Sequence, residues 1–309
     1  MPHDFRIYIP GQVHFCDTRV TTPVCFAHIT DLHLPPVDRT RWPDLYAHAI
    51  DWWDREFEHP HQRLPHLLDD AKDHGVDFVF MGGDNVDVYD AETADHIIQL
   101  CKQRDLTCYF SFGNHDFESY EIRYVTHDNV PAVRDENGKR LMAHWSMPDR
   151  YYSFEVGPVR FIVLDAVYHF VEGGLAGFYD AAQADWLDRQ LQHDGPIIVF
   201  YHIPFRTSSN QDRLRLVWNG VHGWAAENED GKRILDAIDG CPNVLGGFAG
   251  HTHVRSEDLL GRKWQFVTAA GNQGAWRYVQ ISNAAPPKSL RSSGRPAVEG
   301  DGGSSPVES

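Results

Sequence analysis

Acidic, amide and imidazole side chains recur in this sequence directly after short apolar runs. Asp31-Leu32-His33 follows one run, and Gly83-Asp84-Asn85 follows the next. Gly113-Asn114-His115-Asp116, then His202, then Gly250-His251-Thr252-His253 follow three further runs. Imidazole and carboxylate groups suit Zn, Mn and Fe, and an amide oxygen adds a neutral donor. The pattern therefore predicts a metal site.

The number of these side chains favours two metal ions. A pair of metals about 4 Å apart needs roughly this many ligands, one of them a bridging carboxylate. Two divalent ions set against Asp31 and Asp84 leave a local charge of about +2. Such a centre attracts an anionic substrate, and a phosphate ester fits it.

Each motif has a simpler interpretation when it is taken alone. The chain has 19 His residues, so the spacing of Asp31 and His33 also arises by chance. The motifs that begin at Gly113 and Gly250 are each compatible with an ordinary turn, and His202 alone is compatible with a core or surface histidine. Five motifs in this order, each at the end of an apolar run, are hard to attribute to chance. We therefore interpret them as one site.

The apolar runs predict the strands that position these motifs. They are short and buried in character, and they alternate with helical spacing, which is typical of an α/β fold. Ligands bind at the carboxyl edge of such sheets. The predicted strands are Val24–Thr30, Val76–Met81, Thr107–Phe112, Arg160–Leu164, Pro196–Tyr201 and Val244–Ala249.

Helical spacing between the strands predicts helices near residues 64–75, 90–101, 186–195 and 234–240, the second capped near Asp90. Polar stretches near 117–150 and 206–230 are interpreted as insertions, and long loops of this kind are often lids or binding loops. Residues 284–309 are rich in Ser, Gly and Pro and are predicted to be a disordered tail. Residues 1–283 would then form one catalytic domain.

Charge, hydropathy and cysteine content disfavour several classes of ligand and partner. The formal net charge is −16 and no basic block is present, which disfavours long nucleic acid as a ligand. No apolar run is long enough to span a bilayer and no signal peptide is evident, so we expect a cytoplasmic protein and no membrane partner. Five scattered Cys without a CxxC pair disfavour a disulfide framework and a Cys-based zinc site.

The five motifs in order resemble those of the calcineurin-like metallophosphoesterase superfamily, from about Phe26 to His253. The resemblance implies a four-layer α/β/β/α sandwich with two mixed β-sheets. It also implies two divalent or mixed-valence transition metal ions (Mn, Fe or Zn) at the carboxyl ends of the strands. One metal would be held by Asp31, His33 and His253, the other by Asn114, His202 and His251, and Asp84 would bridge them.

The resemblance also implies a mechanism, the in-line attack of a metal-bound hydroxide on phosphorus. His115 matches the family's non-ligand histidine, which stabilises or protonates the leaving oxygen. Asp87 lies three residues after Asp84, where related phosphatases place an Asp that orients this histidine. Asp116 is an alternative for the same task, and a solvated loop carboxylate is an equal interpretation of Asp87.

Departures from the family's subgroups indicate the substrate class. Val88-Tyr89 and Asp116 stand where serine/threonine protein phosphatases have Arg-Gly and Glu, and Asp87 stands where purple acid phosphatases have a metal-bound Tyr. The Asn-His-Asp form and Tyr201-His202-Ile203-Pro204 are more similar to the bacterial group of cyclic-nucleotide and glycerophosphodiester phosphodiesterases. We therefore expect hydrolysis of small phosphodiesters. The alternatives are a phosphomonoesterase acting on a small organic phosphate, a non-catalytic scaffold and, least favoured by the acidic charge, a nuclease.

Two residues of the second insertion are candidates for contact with a small phosphate-ester substrate. Arg206 follows His202 and is a candidate for a phosphate oxygen, although a solvated Arg is the simpler interpretation. His222 is a candidate for stacking on an organic group, although such a residue more often packs a loop against the body of the protein.

Overall fold

The computed structural model describes residues 11–38, 40, 59–118, 131–167, 177–207 and 228–283. Within them, eleven strands form two mixed sheets, and helices flank the sheets in an α/β/β/α sandwich. The predicted fold class is confirmed. In the described part of the chain, no helix has both the length and the apolar character needed to cross a bilayer.

The first sheet has the strand order β1-β11-β2-β3-β4. Strands β2, β3 and β4 are parallel to one another, whereas β11 runs antiparallel to β2 and parallel to β1. The carboxyl ends of three parallel strands therefore share one edge. The bounds are β1 Gly11–Cys16, β2 Val24–Ile29, β3 Phe78–Met81, β4 Cys108–Phe110 and β11 Arg277–Ser282.

The second sheet has the strand order β5-β6-β7-β8-β10-β9. Strands β6, β7, β8 and β10 are parallel, and β5 and β9 close the two edges as antiparallel strands. The bounds are β5 Tyr152–Val156, β6 Val159–Val163, β7 Ile197–Phe200, β8 Val244–Ala249, β9 Ser256–Leu260 and β10 Lys263–Val267.

Aromatic side chains fill the space between the sheets. Phe26 of β2 stacks on Phe78 of β3 with ring centroids 5.2 Å apart and meets Phe200 of β7 edge-on at 5.4 Å. Phe80 of β3 stacks on Phe200 at 3.7 Å. Pairs of this kind contribute about 0.5–1.5 kcal/mol each beyond the area that they bury. The aromatic core thus fixes how the two sheets lie against each other. It thereby also fixes the relative position of their carboxyl edges.

The helices form two groups. Helix α2 contacts both α1 and α3, and α4 contacts α5. The predicted cap of α2 is confirmed, since the Asp90 carboxylate accepts the amide of Thr93 at 2.9 Å, satisfying one of the free donors at the helix start. The bounds are α1 Pro60–Asp73, α2 Ala91–Gln103, α3 Pro131–Trp145, α4 Ala181–Gln190 and α5 Glu229–Gly240, and a 3₁₀ turn spans Gly271–Gln273.

Several elements differ from the sequence prediction. The strand predicted at Thr107–Phe112 is only Cys108–Phe110, because the chain turns early towards the ligand loop. Helix α3 lies inside the polar stretch 117–150, with Leu141 and Trp145 buried one turn apart. Most of the stretch 206–230 and the whole tail 284–309 lie outside the described residues.

Candidate metal centre

The side chains predicted as metal ligands lie together at the carboxyl edge of both sheets. Loops after β2, β3 and β4 of the first sheet carry four of them, and loops after β7 and β8 of the second sheet carry three. All are buried except His253, which is partly exposed. They are Asp31, His33, Asp84 and Asn114 from the first sheet and His202, His251 and His253 from the second.

Three of these residues form one cluster. Donor atoms of Asp31, His33 and His253 all lie within 4.8 Å of one another. The Nε2 atoms of His33 and His253 are 3.0 Å apart, and Nε2 of His253 is 3.4 Å from Oδ1 of Asp31. Two imidazole nitrogens and a carboxylate oxygen converging this closely fit the ligands of one transition metal ion.

A second cluster lies beside the first. Donor atoms of Asp84, His202 and His251 are likewise within 4.8 Å of one another. Oδ2 of Asp84 is 3.2 Å from Nε2 of His202 and 3.7 Å from Nε2 of His33. The same carboxylate oxygen therefore faces both clusters, which is the position that a bridging ligand must occupy.

Asn114 supplies a test of whether a cation fits here. Its Oδ1 atom is buried and has no hydrogen-bond partner among the described residues. Leaving a buried acceptor unsatisfied costs about 1–3 kcal/mol, so such atoms are rare unless something else satisfies them. A bound cation would satisfy this amide oxygen, and the donor set around it fits a metal.

Five of the seven ligand residues have a left-handed backbone. This conformation is uncommon for residues other than glycine, and strain of this kind costs about 1–3 kcal/mol per residue. Such strain persists where the surroundings hold it and clusters at functional sites. The φ angles are 55° at Asp31, 45° at His33, 49° at Asp84, 67° at His251 and 57° at His253.

Burial and neighbouring charges shift the pKa values of the predicted ligands in different directions. Burial lowers the pKa of His33 to about 4 and that of His251 to about 3, so both rings are neutral and can ligate a metal. Burial opposes the charge of Asp31, but the hydrogen bond and charge of His253 bring its pKa down to about 2. Burial also acts against the charge of His202, yet the Asp84 carboxylate raises its pKa to about 9. A metal bound to His202 must therefore displace a proton.

The histidine predicted to act as the acid contacts one of its two candidate partners. Nδ1 of His115 is 3.0 Å from Oδ1 of Asp87. The same Asp87 oxygen is 3.3 Å from Nδ1 of His33, and the two imidazole rings are 4.4 Å apart. Asp87 is fully buried, so it is not a solvated loop carboxylate.

Asp116, the alternative partner, accepts backbone amides instead. Its carboxylate is buried and receives hydrogen bonds from Asn85, Val86 and Gly113. Burial raises the pKa of Asp116 to about 7, and the charge of Asp84 adds to this shift, whereas the amide donors act in the lowering direction. Cations at the neighbouring clusters would also lower the pKa.

The candidate substrate contacts are only partly placed. Arg206 is exposed and follows Phe205, whose backbone amide donates to Oε1 of Gln265 at 2.8 Å. The loop that leaves His202 is therefore held against β10. His222 lies outside the described residues.

Two supporting residues were not predicted from the sequence. The hydroxyl of Thr30 donates to Oδ2 of Asp31 at 2.8 Å and orients that carboxylate. Gln265 is fully buried and bonds both the amide and the carbonyl of Phe205. A hydroxyl directly before Asp31, and a Gln between the aromatic residues Trp264 and Phe266, are the signals that the sequence offered.

Comparison with known proteins gives one sequence match and several matches of fold. The model of the family described as calcineurin-like phosphoesterase matches residues 26–255. No curated protein matches this sequence.

The solved structures that the chain matches are distant in sequence. A dimetal phosphatase from Danio rerio is 15% identical, with 81% of this chain and 88% of that one covered and a TM-score of 0.49. The purple acid phosphatase PPD1 from yellow lupin seeds is 13% identical, with 83% and 45% covered and a TM-score of 0.49. The calcineurin-like phosphoesterase YfkN from Bacillus subtilis is 12% identical, with 82% and 87% covered and a TM-score of 0.42.

Proposed function

We propose a function from one premise: this chain belongs to the calcineurin-like phosphoesterase family. As a member of that family with these buried His and Asp clusters, it is a metal-dependent phosphoesterase. We propose further that its substrates are small phosphodiesters. The convergence of the two clusters on the Asp84 carboxylate carries the phosphoesterase assignment. The preference for diesters is supported by the Asn114-His115-Asp116 form and the segment Tyr201-His202-Ile203-Pro204.

The donor set fits two divalent or mixed-valence transition metal ions, of which Mn, Fe and Zn suit it best. Asp84 would bridge the pair. When bound, two cations polarise the phosphoryl oxygens and lower the pKa of a nucleophilic water. The remaining ligands would be Asp31, His33 and His253 on one ion and Asn114, His202 and His251 on the other.

His115 is the proposed acid for the leaving oxygen. With Nδ1 of His115 donating to the Asp87 carboxylate, the ring would act as the acid in its protonated form, in which Nε2 carries the proton that is transferred to the leaving oxygen. General acid help of this kind contributes about 10²–10⁴-fold to the rate. Because Asp87 also contacts His33, it orients the acid and one metal ligand with the same carboxylate.

Two substrate contacts are proposed from the chemical nature of the side chains. Arg206 is proposed to bind a non-bridging phosphate oxygen, and His222 to contact the organic group of the ester. Both belong to the stretch 206–230, which continues from the loop that carries His202. With a net charge of −16 the chain as a whole repels polyanions, which supports a small substrate rather than a long nucleic acid.

A substrate panel tests the proposal. Bis(p-nitrophenyl) phosphate, p-nitrophenyl phosphate and cyclic nucleotides are incubated with the protein and Mn²⁺, and Asp84→Ala purified in parallel reports any contaminating phosphatase. We expect the diesters to have the higher kcat/KM. Activity on the monoester alone would replace the diester proposal with the phosphomonoesterase alternative.

Metal analysis tests the non-catalytic alternative separately. A scaffold would have lost ligands or the acid histidine, whereas each of these residues is present and placed at the centre here. Purified protein with no bound metal and no affinity for Mn²⁺ would favour the scaffold.

A further inference from the structure

Asp116 is a buried carboxylate to which the proposed chemistry assigns no task. Its Oδ1 accepts the backbone amides of Asn85 at 2.9 Å and Val86 at 3.0 Å. Its Oδ2 accepts the amide of Gly113 at 2.8 Å and lies 3.4 Å from Nδ2 of Asn85. The Asn85 and Val86 amides belong to the loop after β3, and that of Gly113 to the loop after β4, so one side chain joins two ligand loops.

The connection is reciprocal. Oδ1 of Asp84, in the loop after β3, accepts the backbone amide of His115 in the loop after β4 at 2.9 Å. Each loop therefore supplies a carboxylate that binds the backbone of the other. Gly113 lies against Asp84 so closely that any side chain there would overlap its backbone nitrogen and carboxylate. The two loops have no room to shift independently.

We propose that Asp116 is a positioning residue that fixes the bridging Asp84 relative to Asn114 and thereby sets the metal affinity of the centre. This inference rests on the proposed function. The Asn85 and Val86 amides that Asp116 binds directly follow Asp84, and the Gly113 amide directly precedes Asn114. Its four hydrogen bonds therefore hold both proposed ligands in register.

The chemistry of the contact requires a carboxylate. An ionised carboxylate has lone pairs on both oxygens and donates nothing, so it can accept three amides from two directions. In Asp116→Asn one oxygen becomes an NH₂ group that faces an amide donor. The hydrogen bonds to one of the two loops are then lost. Asp116→Glu keeps both acceptor oxygens but lengthens the side chain and moves the two loops relative to each other.

The matched control is Asp165→Asn. Asp165 is also buried, its carboxylate accepts the backbone amide of Val167 at 2.8 Å, and it pairs with Arg150 at 2.8 Å. It lies in the loop after β6, which carries none of the proposed ligands. The same chemical change there costs folding stability without touching the ligand loops.

The experiment is calorimetric titration of the metal-free, full-length proteins with Mn²⁺, with thermal unfolding measured on each. Loss of a supporting partner of a metal site typically weakens binding about 10–100-fold. We expect a weakening in that range for Asp116→Asn, a smaller one for Asp116→Glu, and affinity within about twofold of wild type for Asp165→Asn. With substrate, kcat of the Asn variant should fall while KM changes little, because Asp116 does not reach the substrate.

The outcomes separate this inference from the proposed function. Wild-type protein that binds no Mn²⁺ would overturn both, whereas Asp116→Asn with wild-type affinity would overturn only the positioning role. If Asp116→Asn does not fold, Asp116→Glu decides: weakened binding supports the role, and unchanged binding overturns it. Equal weakening in Asp165→Asn would also overturn it, because general destabilisation would then explain the effect.

Discussion

The two sheets contribute different chemistry to the same centre. The loops of the first sheet supply every proposed oxygen ligand together with one imidazole, whereas the loops of the second sheet supply imidazoles only. Both anionic ligands of the proposed centre, Asp31 and Asp84, therefore come from the first sheet, and the second sheet contributes none. The oxygen ligands are Asp31, Asp84 and Asn114, and the imidazoles of the second sheet are His202, His251 and His253.

The loops of the two sheets are also held in place by different contacts. The loops of the first sheet bind one another, with the amide of Asp31 donating to Gly83 at 3.0 Å. The histidines of the second sheet are held by the first: Nδ1 of His202 lies 2.9 Å from the carbonyl oxygen of Gly82, and the amide of His251 donates to the Asp31 carboxylate at 3.0 Å. The loops of the first sheet thus position the histidines of the second sheet. Changes in the first should disable both clusters, and changes in the second should remain local.

The largest expected effect is that of Asp84→Ala. Because Asp84 faces both clusters, its loss should remove both metals and lower turnover by about 10³-fold or more. His253→Ala, in the second sheet, should cost about one metal equivalent, since His253 belongs to one cluster only. Metal content by mass spectrometry checks both variants. Two retained metals in Asp84→Ala, or equal losses in the two variants, would contradict the proposed dependence of one half on the other.

His115→Ala should separate chemistry from metal binding. We expect kcat to fall about 10²–10⁴-fold with a poor leaving group, and much less with p-nitrophenolate, which needs no proton. Metal content should remain near normal, because His115 is not a ligand in either cluster that contains Asp31 or Asp84. Full activity on a poor leaving group would remove the acid role from His115.

Gly250→Ala tests the contact between the loops of the two sheets. An added methyl group at Gly250, in the second sheet, would overlap the side chains of Thr30 and Asp31 in the first. Overpacking of this kind costs about 1–3 kcal/mol of stability, and displacing the loop should weaken Mn²⁺ binding about tenfold. Gly240→Ala is the control, since nothing lies within 4 Å of the methyl group it adds. Equal unfolding free energies and metal affinities in the two variants would contradict a tight contact between the sheets.

Much of the centre was predictable from sequence because each ligand follows its strand directly. Asp31 comes two residues after the end of β2, and His251 two after the end of β8, so predicting the strands also placed the ligands. Strands β9 and β11 were missed because exposed residues in β9, and half-exposed ones in β11, alternate with the buried residues and interrupt the apolar run.

The supporting contacts were less predictable because they depend on how the loops turn. For the partner of His115 the sequence favoured Asp87, with Asp116 as the alternative. The left-handed backbone at Asp84, with φ of 49°, belongs to a loop whose path brings Asp87 to His115 and leaves Asp116 to the backbone amides. The family's spacing pointed to Asp87, but the residue types alone do not separate the two carboxylates, because both lie within a few residues of a predicted ligand.

The smallest expected effect concerns His28, a buried link between the sheets below the centre. Its Nδ1 lies 2.7 Å from the hydroxyl of Thr268, which follows β10 of the second sheet. Burial lowers the pKa of His28 from 6.5 to about 3, so the folded protein keeps the ring neutral while the unfolded chain protonates it. This stability is fully present above pH 6.5 and is lost as the pH falls towards 3, at about 1.36 kcal/mol per pH unit.

His28→Gln removes that proton-binding difference and should flatten the fall in stability. Between pH 6.5 and 5, metal-free wild-type protein should lose about 2 kcal/mol more of its unfolding free energy than the variant does. Urea unfolding at the two pH values measures this, and the other buried histidines cancel because both proteins contain them. His66→Gln, the same change at an exposed position of α1, should follow the wild-type curve. Parallel curves for His28→Gln and wild type would mean that His28 is protonated alike in both states. The contact with Thr268 would then not hold a neutral ring between the sheets.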